Sequence, residues 1–258
     1  MLNLDDIINI TKESREYVLK HLKDNNLDNI VEMGASGTPT RVIDKIAESQ
    51  ILENIKNMGA YPNILSEECG YIKGNEDYYV IIDPIDGTTN SLLDIPYYSI
   101  SIAIGKRDLS TIQMGVVMNV ITGDIYYAKN GEGAFFNGKQ IHTRKFSEKG
   151  SVGYIYYGKR SPTEFVDLLN KIEKVRTLGS SSLDVCAIAR GKGDVFYFNL
   201  QNYTYNIRVI DIAAASLVLK EAGGELYDLK GNILNMPYSL DYHAAVLALG
   251  DPSLMIGG

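Results

Sequence analysis

Residues 80–90 read VIIDPIDGTTN, with Asp83 and Asp86 three positions apart directly behind an apolar run. Two carboxylates at the end of a buried strand repel each other unless a positive charge lies between them. Two readings fit the pair. Asp86 can cap a helix that starts after Gly87, or both acids can clamp a divalent cation, because Mg²⁺ takes carboxylate and carbonyl oxygens and keeps waters that a phosphate can replace. Pro84 withholds a backbone donor and is expected to end strand pairing in a turn, while Gly87 permits a tight path into the next helix.

Other acids stand where they can join the pair. The segment LSEECG places Glu67 and Glu68 just before the strand YYVIID, and RVIDIAAA places Asp211 at a helix start. A solvated pair and a simple cap are the alternatives for these sites. The small residues Ala213, Ala214 and Ala215 allow that helix to lie close on a sheet, which would carry Asp211 towards Asp83 and Asp86. Asp44 falls in the first turn of another helix, where the helix dipole favours a carboxylate.

The positioning elements follow from periodicity. Leu4, Ile7, Ile8, Val18, Leu19 and Leu22 recur at helical spacing behind Asn3, a suitable cap. After the loop MGASGTPT, Thr40 is positioned to cap a second helix carrying Ile43, Ile46, Ile51, Leu52 and Ile55, which Gly59 would end. YYVIID is a strand, and YYSISIAIG alternates as a half-buried strand does. A hairpin through Thr122, Gly123 and Asp124 follows, and NGEGAFFNGKQI holds two more turn signals. Beyond RKFSEKGS the pattern becomes alternating: a strand over 152–156, a helix over 162–172, the strand KVRTL, a helix over 183–189, the strand DVFYF, a long loop, and the helix DIAAASLVLKEA. The expected organisation is an antiparallel-rich α+β lobe, residues 1–146, carrying most of the acids. An α/β lobe with a mixed sheet, residues 147–258, carries Asp211, and the two form layered helices and sheets.

Composition sets the outer bounds. A chain of 258 residues with 45% hydrophobic residues can bury a core of one or two lobes. Its net charge of −7, without a basic block, speaks against nucleic acid as a partner. No apolar run reaches the roughly 18 residues of a membrane span, and the acidic start is unlike a signal peptide, so a cytoplasmic, membrane-free protein is expected. Cys69 and Cys186 predict reduced thiols rather than a disulfide framework. An acidic protein can still hold a small anion where bound cations supply the attraction.

Together, DPIDGTTN, the upstream SEE, RTLGSSSLDVCAIARGKGD and DIAAASLVLKEAGGEL resemble the inositol monophosphatase family, above all its archaeal members that also hydrolyse fructose 1,6-bisphosphate. The resemblance spans nearly the whole chain, in order. It implies a layered αβαβα sugar-phosphatase fold, commonly a homodimer, with two or three catalytic Mg²⁺ ions. Carried onto matching positions, Glu67, Asp83 and the Ile85 carbonyl would hold a first metal. Asp83 would bridge to a second, completed by Asp86 and Asp211, and Glu67 with Asp44 through water would serve a third. Thr88 would pair with Asp44 to orient the attacking water, and the N–H groups of Gly87 and Thr88 would meet phosphate oxygens.

A rival chemistry, the aspartyl phosphate of DxDGT enzymes, needs its acids two apart, and Pro84 spoils that geometry. His21, His142 and His243 are scattered, which leaves zinc and phosphohistidine mechanisms without support. On the substrate side the resemblance points to the segment GSSS, Gly179, Ser180, Ser181 and Ser182, with a helix cap at Ser180 or Ser182 as the alternative or additional role. Arg208 is a candidate substrate contact. Lys159 and Arg160 in YYGKR are candidates for a second phosphate, or else a solvated basic turn. Ile210 stands where many relatives have tryptophan, and the loop NLQNYTYN puts Thr204 near the expected position of an acidic inositol contact. The expected activity is Mg²⁺-dependent hydrolysis of fructose 1,6-bisphosphate and inositol 1-phosphate. Hydrolysis of adenosine 3′,5′-bisphosphate or NADP is the enzymatic alternative, with Tyr203 and Tyr205 to receive an adenine, and binding of a sugar phosphate without turnover is the non-enzymatic one.

Overall fold

The computed structural model describes residues 1–22, 29–37, 39–162 and 170–255. Helix α1 (Leu4–His21) starts where Asn3 Oδ1 accepts the Asp6 N–H at 3.0 Å and Asp6 Oδ2 accepts the Asn3 N–H at 2.8 Å. This reciprocal cap satisfies two donors that a helix start leaves open. A hairpin of β1 (Ile30–Met33) and β2 (Pro39–Arg41) then leads into α2 (Val42–Asn57). Thr40 does not cap α2, against its expected role. It lies in β2, Arg41 is the N-cap, and the Arg41 N–H goes to Asp44 Oδ2 at 2.9 Å, so a carboxylate inside the first turn does the capping.

The first sheet has eight strands in the order β10-β9-β8-β7-β6-β5-β3-β4. They are β3 (Asn63–Ser66), β4 (Gly70–Ile72), β5 (Tyr79–Asp86), β6 (Ser99–Gly105), β7 (Met114–Asn119), β8 (Ile125–Lys129), β9 (Ala134–Phe136) and β10 (Lys139–Ile141). Every neighbouring pair is antiparallel except β3 with β5. Strand β5 runs on through Pro84 to Asp86, beyond its expected end. The missing proline N–H is accommodated by a register slip against β6 between Asp83 and Asp86. Gly87, at φ 98°, then turns the chain into the short helix α3 (Thr88–Leu92).

Strand β6 is buried along its whole length rather than on one face. Ile100, Ile102 and Ile104 pack into the core that β5, β6 and β7 form with α1 and α2, and Ser99, Ser101 and Ala103 are also buried. The alternation is thus one of size: a central strand covered by helices on both sides shows small residues where a helix comes close, not where water does.

The second sheet, in the order β12-β11-β13-β15-β14, comprises β11 (Val152–Ile155), β12 (Lys174–Arg176), β13 (Val195–Phe198), β14 (Glu225–Tyr227) and β15 (Val246–Leu249). β11 is parallel to β12 and β13, whereas β15 is antiparallel to β13 and β14, giving the expected mixed sheet. Helices α4 (Ser181–Ala189) and α5 (Val209–Glu221) fill the space between the sheets. Their Leu183, Ile188, Ile212 and Leu217 share one core with Val117 of the first sheet and with Phe196, Leu226 and Val246 of the second. Among the described residues the layers run α, β, α, β, and Ile155, Val195, Leu247 and Leu249 gather in a further apolar cluster. The helix expected over 162–172, which would add an outer layer, lies largely outside the described residues.

The alanines of α5 bring it as close to the first sheet as their size suggested. A Cβ on Gly115 of β7 would lie 2.7 Å from the Ala214 carbonyl oxygen. Gly115→Ala should therefore lower stability by about 1–3 kcal/mol, the usual cost of overpacking, read from the denaturant midpoint. A midpoint equal to the parent's would mean that α5 sits further from β7.

Candidate active site

Helix dipoles, a strand end and a tight turn deliver six acids to one place. Asp44 comes from the first turn of α2, Glu67 and Glu68 from the β3–β4 turn, Asp83 and Asp86 from the end of β5, and Asp211 from the first turn of α5. A cavity of about 350 Å³ opens here, lined by Asp44, Glu67, Glu68, Gly87, Thr88 and Gly179 among others. Asp83 and Asp86 are buried.

Asp83 is the anomaly of the cluster. Its Oδ1 is buried without a hydrogen-bond partner. Burial, and then Glu67, Asp86 and Asp211, push its pKa well above the ordinary carboxylate range, while Arg208 pulls it down. A buried acceptor left without a donor is costly. Asp44 and Asp86 are both raised to about 7, chiefly by burial. For Asp44 the Arg41 N–H offsets part of that effect, and for Asp86 the Ser180 hydroxyl and the Ser182 N–H do so. Glu68 is likewise raised to about 7 by burial, although it accepts the Thr40 hydroxyl.

Asp86 does cap a helix, though not the one that follows it. Its carboxylate accepts the Ser180 hydroxyl at 2.5 Å, the Ser182 N–H at 2.7 Å and the Ser181 N–H at 3.2 Å, all at the start of α4, 94 to 96 positions further along the chain. Ser180 is itself the N-cap of α4, and the Ser182 hydroxyl donates to the Asp211 carbonyl at 2.8 Å, tying α4 to α5. The Asn90 amide completes the joint by donating to the Tyr97 carbonyl at 2.6 Å and the Leu178 carbonyl at 2.7 Å. Asn90 was not singled out as functional from the sequence. Asn90 closes the DPIDGTTN motif, and that position was its one available signal.

Thr88 Oγ1 lies 3.1 Å from Asp44 Oδ1 and 3.1 Å from the Ile85 carbonyl oxygen. Arg208, the N-cap of α5, reaches across the cluster. Its Nη2 donates to Glu67 Oε1 at 2.6 Å and to Asp211 Oδ1 at 3.0 Å, and its backbone N–H donates to Asp211 Oδ2 at 2.7 Å. Burial opposes its charge, but Asp211 and Glu67 more than offset this and raise its pKa further.

Gly179, Ser180 and Ser181 also border a second cavity, walled by Tyr156, Phe196 and Phe198 with the buried Asp184 among its lining residues. Asp184 accepts the Tyr97 hydroxyl at 2.9 Å. Lys159 and Arg160 are exposed and line neither cavity. Arg160 instead lies over the Tyr205 ring, 3.9 Å from its centroid.

The donor set suits a hard divalent cation. Glu67, Asp83, Asp86, Asp211 and the Ile85 carbonyl offer only oxygens, with no thiolate or imidazole among them, which is the chemistry of Mg²⁺. The orphaned Asp83 oxygen and the raised carboxyls fit a site that takes a cation. Among the described residues, no group of three or more His, Cys, Asp or Glu side chains is gathered closely enough to hold an ion as it stands. The Arg208 guanidinium lies between two of the acids instead.

Comparison with known proteins agrees with this geometry. The pattern of the inositol monophosphatase family matches residues 5–254. The chain is 34% identical over 239 residues to the fructose-1,6-bisphosphatase/inositol-1-monophosphatase of Methanothermobacter thermautotrophicus, covering 87% of this chain and 84% of the relative. It is 32% identical over 267 residues to the bifunctional NADP phosphatase/NAD kinase of Methanococcus maripaludis, covering 95% of this chain but only 46% of that longer protein. A solved Pyrococcus horikoshii protein with similarities for inositol-1 monophosphatase superposes with a TM-score of 0.82 at 27% identity, over 96% of this chain and 93% of the other. Order of motifs, layered fold and acid cluster all lead to one assignment: the chain belongs to the inositol monophosphatase family of phosphoric monoester hydrolases.

Proposed function

We propose that the chain is a Mg²⁺-dependent phosphatase that hydrolyses phosphate monoesters of small sugars and polyols, fructose 1,6-bisphosphate and inositol 1-phosphate, with water as the nucleophile. The observation that carries this reading is the buried, partnerless Asp83 oxygen amid Glu67, Asp86 and Asp211. Glu67, Asp83, Asp86, Asp211 and the Ile85 carbonyl would hold two or three ions, which when bound lower the pKa of a water and neutralise phosphate charge. The Thr88 hydroxyl, shared between Asp44 and the Ile85 carbonyl, is placed to orient that water, and Asp44, hydrogen-bonded to that hydroxyl, would share in holding the water. A protein that only binds sugar phosphates has no use for such a pair. The N–H groups of Gly87 and Thr88 would receive phosphate oxygens, and Gly179, Ser180 and Ser181 would face the leaving group, with Arg208 beside it.

Lys159 and Arg160 would meet the second phosphate of a bisphosphate. Arg160→Ala should then reduce kcat/KM for fructose 1,6-bisphosphate by about tenfold, the worth of one charged hydrogen bond, and leave inositol 1-phosphate nearly untouched. Equal loss on both substrates would place Arg160 elsewhere. A second reading, hydrolysis of NADP or adenosine 3′,5′-bisphosphate, is favoured by the aromatic walls Tyr156, Phe196 and Phe198, which suit a planar base. Phosphate release from the four compounds in parallel tests the proposal. The sugar and polyol phosphates are expected to turn over fastest, and turnover of the nucleotides alone would overturn that preference. The reading includes a cytoplasmic homodimer acting on small molecules. Among the described residues no helix is long and apolar enough to cross a membrane.

A further inference from the structure

Arg208 occupies a position that a substrate contact alone does not explain. Its guanidinium Nη2 sits 2.6 Å from Glu67 Oε1 and 3.0 Å from Asp211 Oδ1, with both carboxylates and the arginine itself largely shielded from water. Glu67 belongs to the β3–β4 turn and Asp211 to α5, so a single side chain bridges the two lobes through two proposed metal ligands. Its charge acts against the acids that press on Asp83.

We propose that Arg208 is the cluster's internal counter-ion, which holds Glu67 and Asp211 together without metal and gives up that bridge when a divalent ion enters. The inference rests on the metal-dependent reading above, and it goes beyond that reading because it makes ion binding and the Arg208 bridge mutually weakening. A guanidinium and a divalent ion drawing on the same two carboxylates repel each other in a site with little water. Coupling between two ligands of one site is reciprocal: whatever factor the arginine takes from metal affinity, the metal takes from the arginine bridge. The stem of Arg208 stays anchored as the N-cap of α5, because its backbone N–H is held by Asp211 Oδ2 at 2.7 Å, against 3.5 Å for the guanidinium Nε on the same oxygen. The head group can therefore leave Glu67 without the helix start coming apart, and once released it points its charge into a cleft that receives an anionic ester.

Two readouts that do not depend on turnover test this. Mg²⁺ is titrated calorimetrically into chelator-treated, dialysed wild type, Arg208→Gln and Arg208→Lys, and each protein is melted with chelator and with saturating Mg²⁺. Arg208→Gln should bind Mg²⁺ about tenfold more tightly, within the usual range of coupled sites. It should melt lower than wild type with chelator and level with it in saturating Mg²⁺. Arg208→Lys, which keeps the charge but loses the fork, should fall between the two in affinity, and it carries the test should the glutamine variant not fold without metal. Unchanged or weaker Mg²⁺ binding by both variants would overturn the proposal. So would a melting deficit that persists unaltered in saturating Mg²⁺, since that would make Arg208 a permanent strut. Wild type that binds no Mg²⁺ would instead remove the metal reading on which the inference rests.

Discussion

Asp83→Asn should lower phosphate release by about 1000-fold or more, the scale of several kcal/mol that an ion contributes to a phosphoryl transition state. It should also make the metal-free chain more stable rather than less. Both effects follow from one carboxylate. Asp83 has a buried oxygen with no donor, and its neighbours Glu67, Asp86 and Asp211 all disfavour its charge. An amide of the same shape removes one of these like charges and supplies two N–H donors to the acids around it. Such a residue is poorly placed for stability, and on the proposed reading its place in the fold is explained by the ion it would hold during turnover. Phosphate release at saturating Mg²⁺ and melting in chelator check the two halves. Near-normal turnover, or a metal-free variant less stable than its parent, would contradict the role given to Asp83.

The second large effect is a pH dependence of stability confined to the metal-free protein. Asp44 and Asp86 stand at about 7 when folded against an ordinary 3.8, and Glu68 at about 7 against 4.5. Their folded pKa values are raised, so between roughly pH 4 and 7 the folded chain keeps protons that the unfolded chain has released. Stability from these groups is fully present below that window and is lost as pH rises through it. Asp251 and Asp228 act with the opposite sign, because hydrogen bonds hold them below 3.8: from the Ser253 and Phe146 N–H groups for Asp251, and from Asn232 for Asp228. Their contribution fades only at more acid pH, outside the window. For the buried Asp44 and Asp86, each raised from 3.8 to about 7, the loss is at most about 4 kcal/mol apiece, or roughly 10 °C in Tm for each. Melting curves in chelator from pH 4.5 to 7.5 should fall accordingly, and saturating Mg²⁺ should flatten them by supplying the missing charge. A flat profile in chelator would mean that the cluster is already neutralised by other means.

Much of the site was legible because it rests on local chemistry. Asp83 and Asp86 announce themselves by breaking an apolar strand with two acids, Asp44 and Asp211 by sitting in first helical turns, and the alanines of α5 by their size. What stayed hidden depends on which elements meet. Asp86 could be read as a cap, but only the fold shows that the capped helix is α4, far along the chain. Alternation in β6 is the same string whether its small face meets water or the backbone of α5, so the half-buried expectation failed where tertiary packing decided. Pro84 ends a strand in general, yet here the ladder absorbs it with a register slip. Thr40 lost the cap because the helix starts one residue later, with Arg41 as its N-cap, and the Thr40 hydroxyl is spent on Glu68. Arg208 was legible as a basic residue near the site, while its bridge to Glu67 spans 141 positions and leaves no local trace.

The most direct test is phosphate release from inositol 1-phosphate by chelator-treated protein, with Mg²⁺ added back stepwise. The metal-assisted account predicts no turnover in chelator, recovery that saturates with added Mg²⁺, and no recovery in Asp83→Asn at the same Mg²⁺. Undiminished phosphate release in excess chelator would contradict it, because the acids would then be acting without the cation that their arrangement calls for.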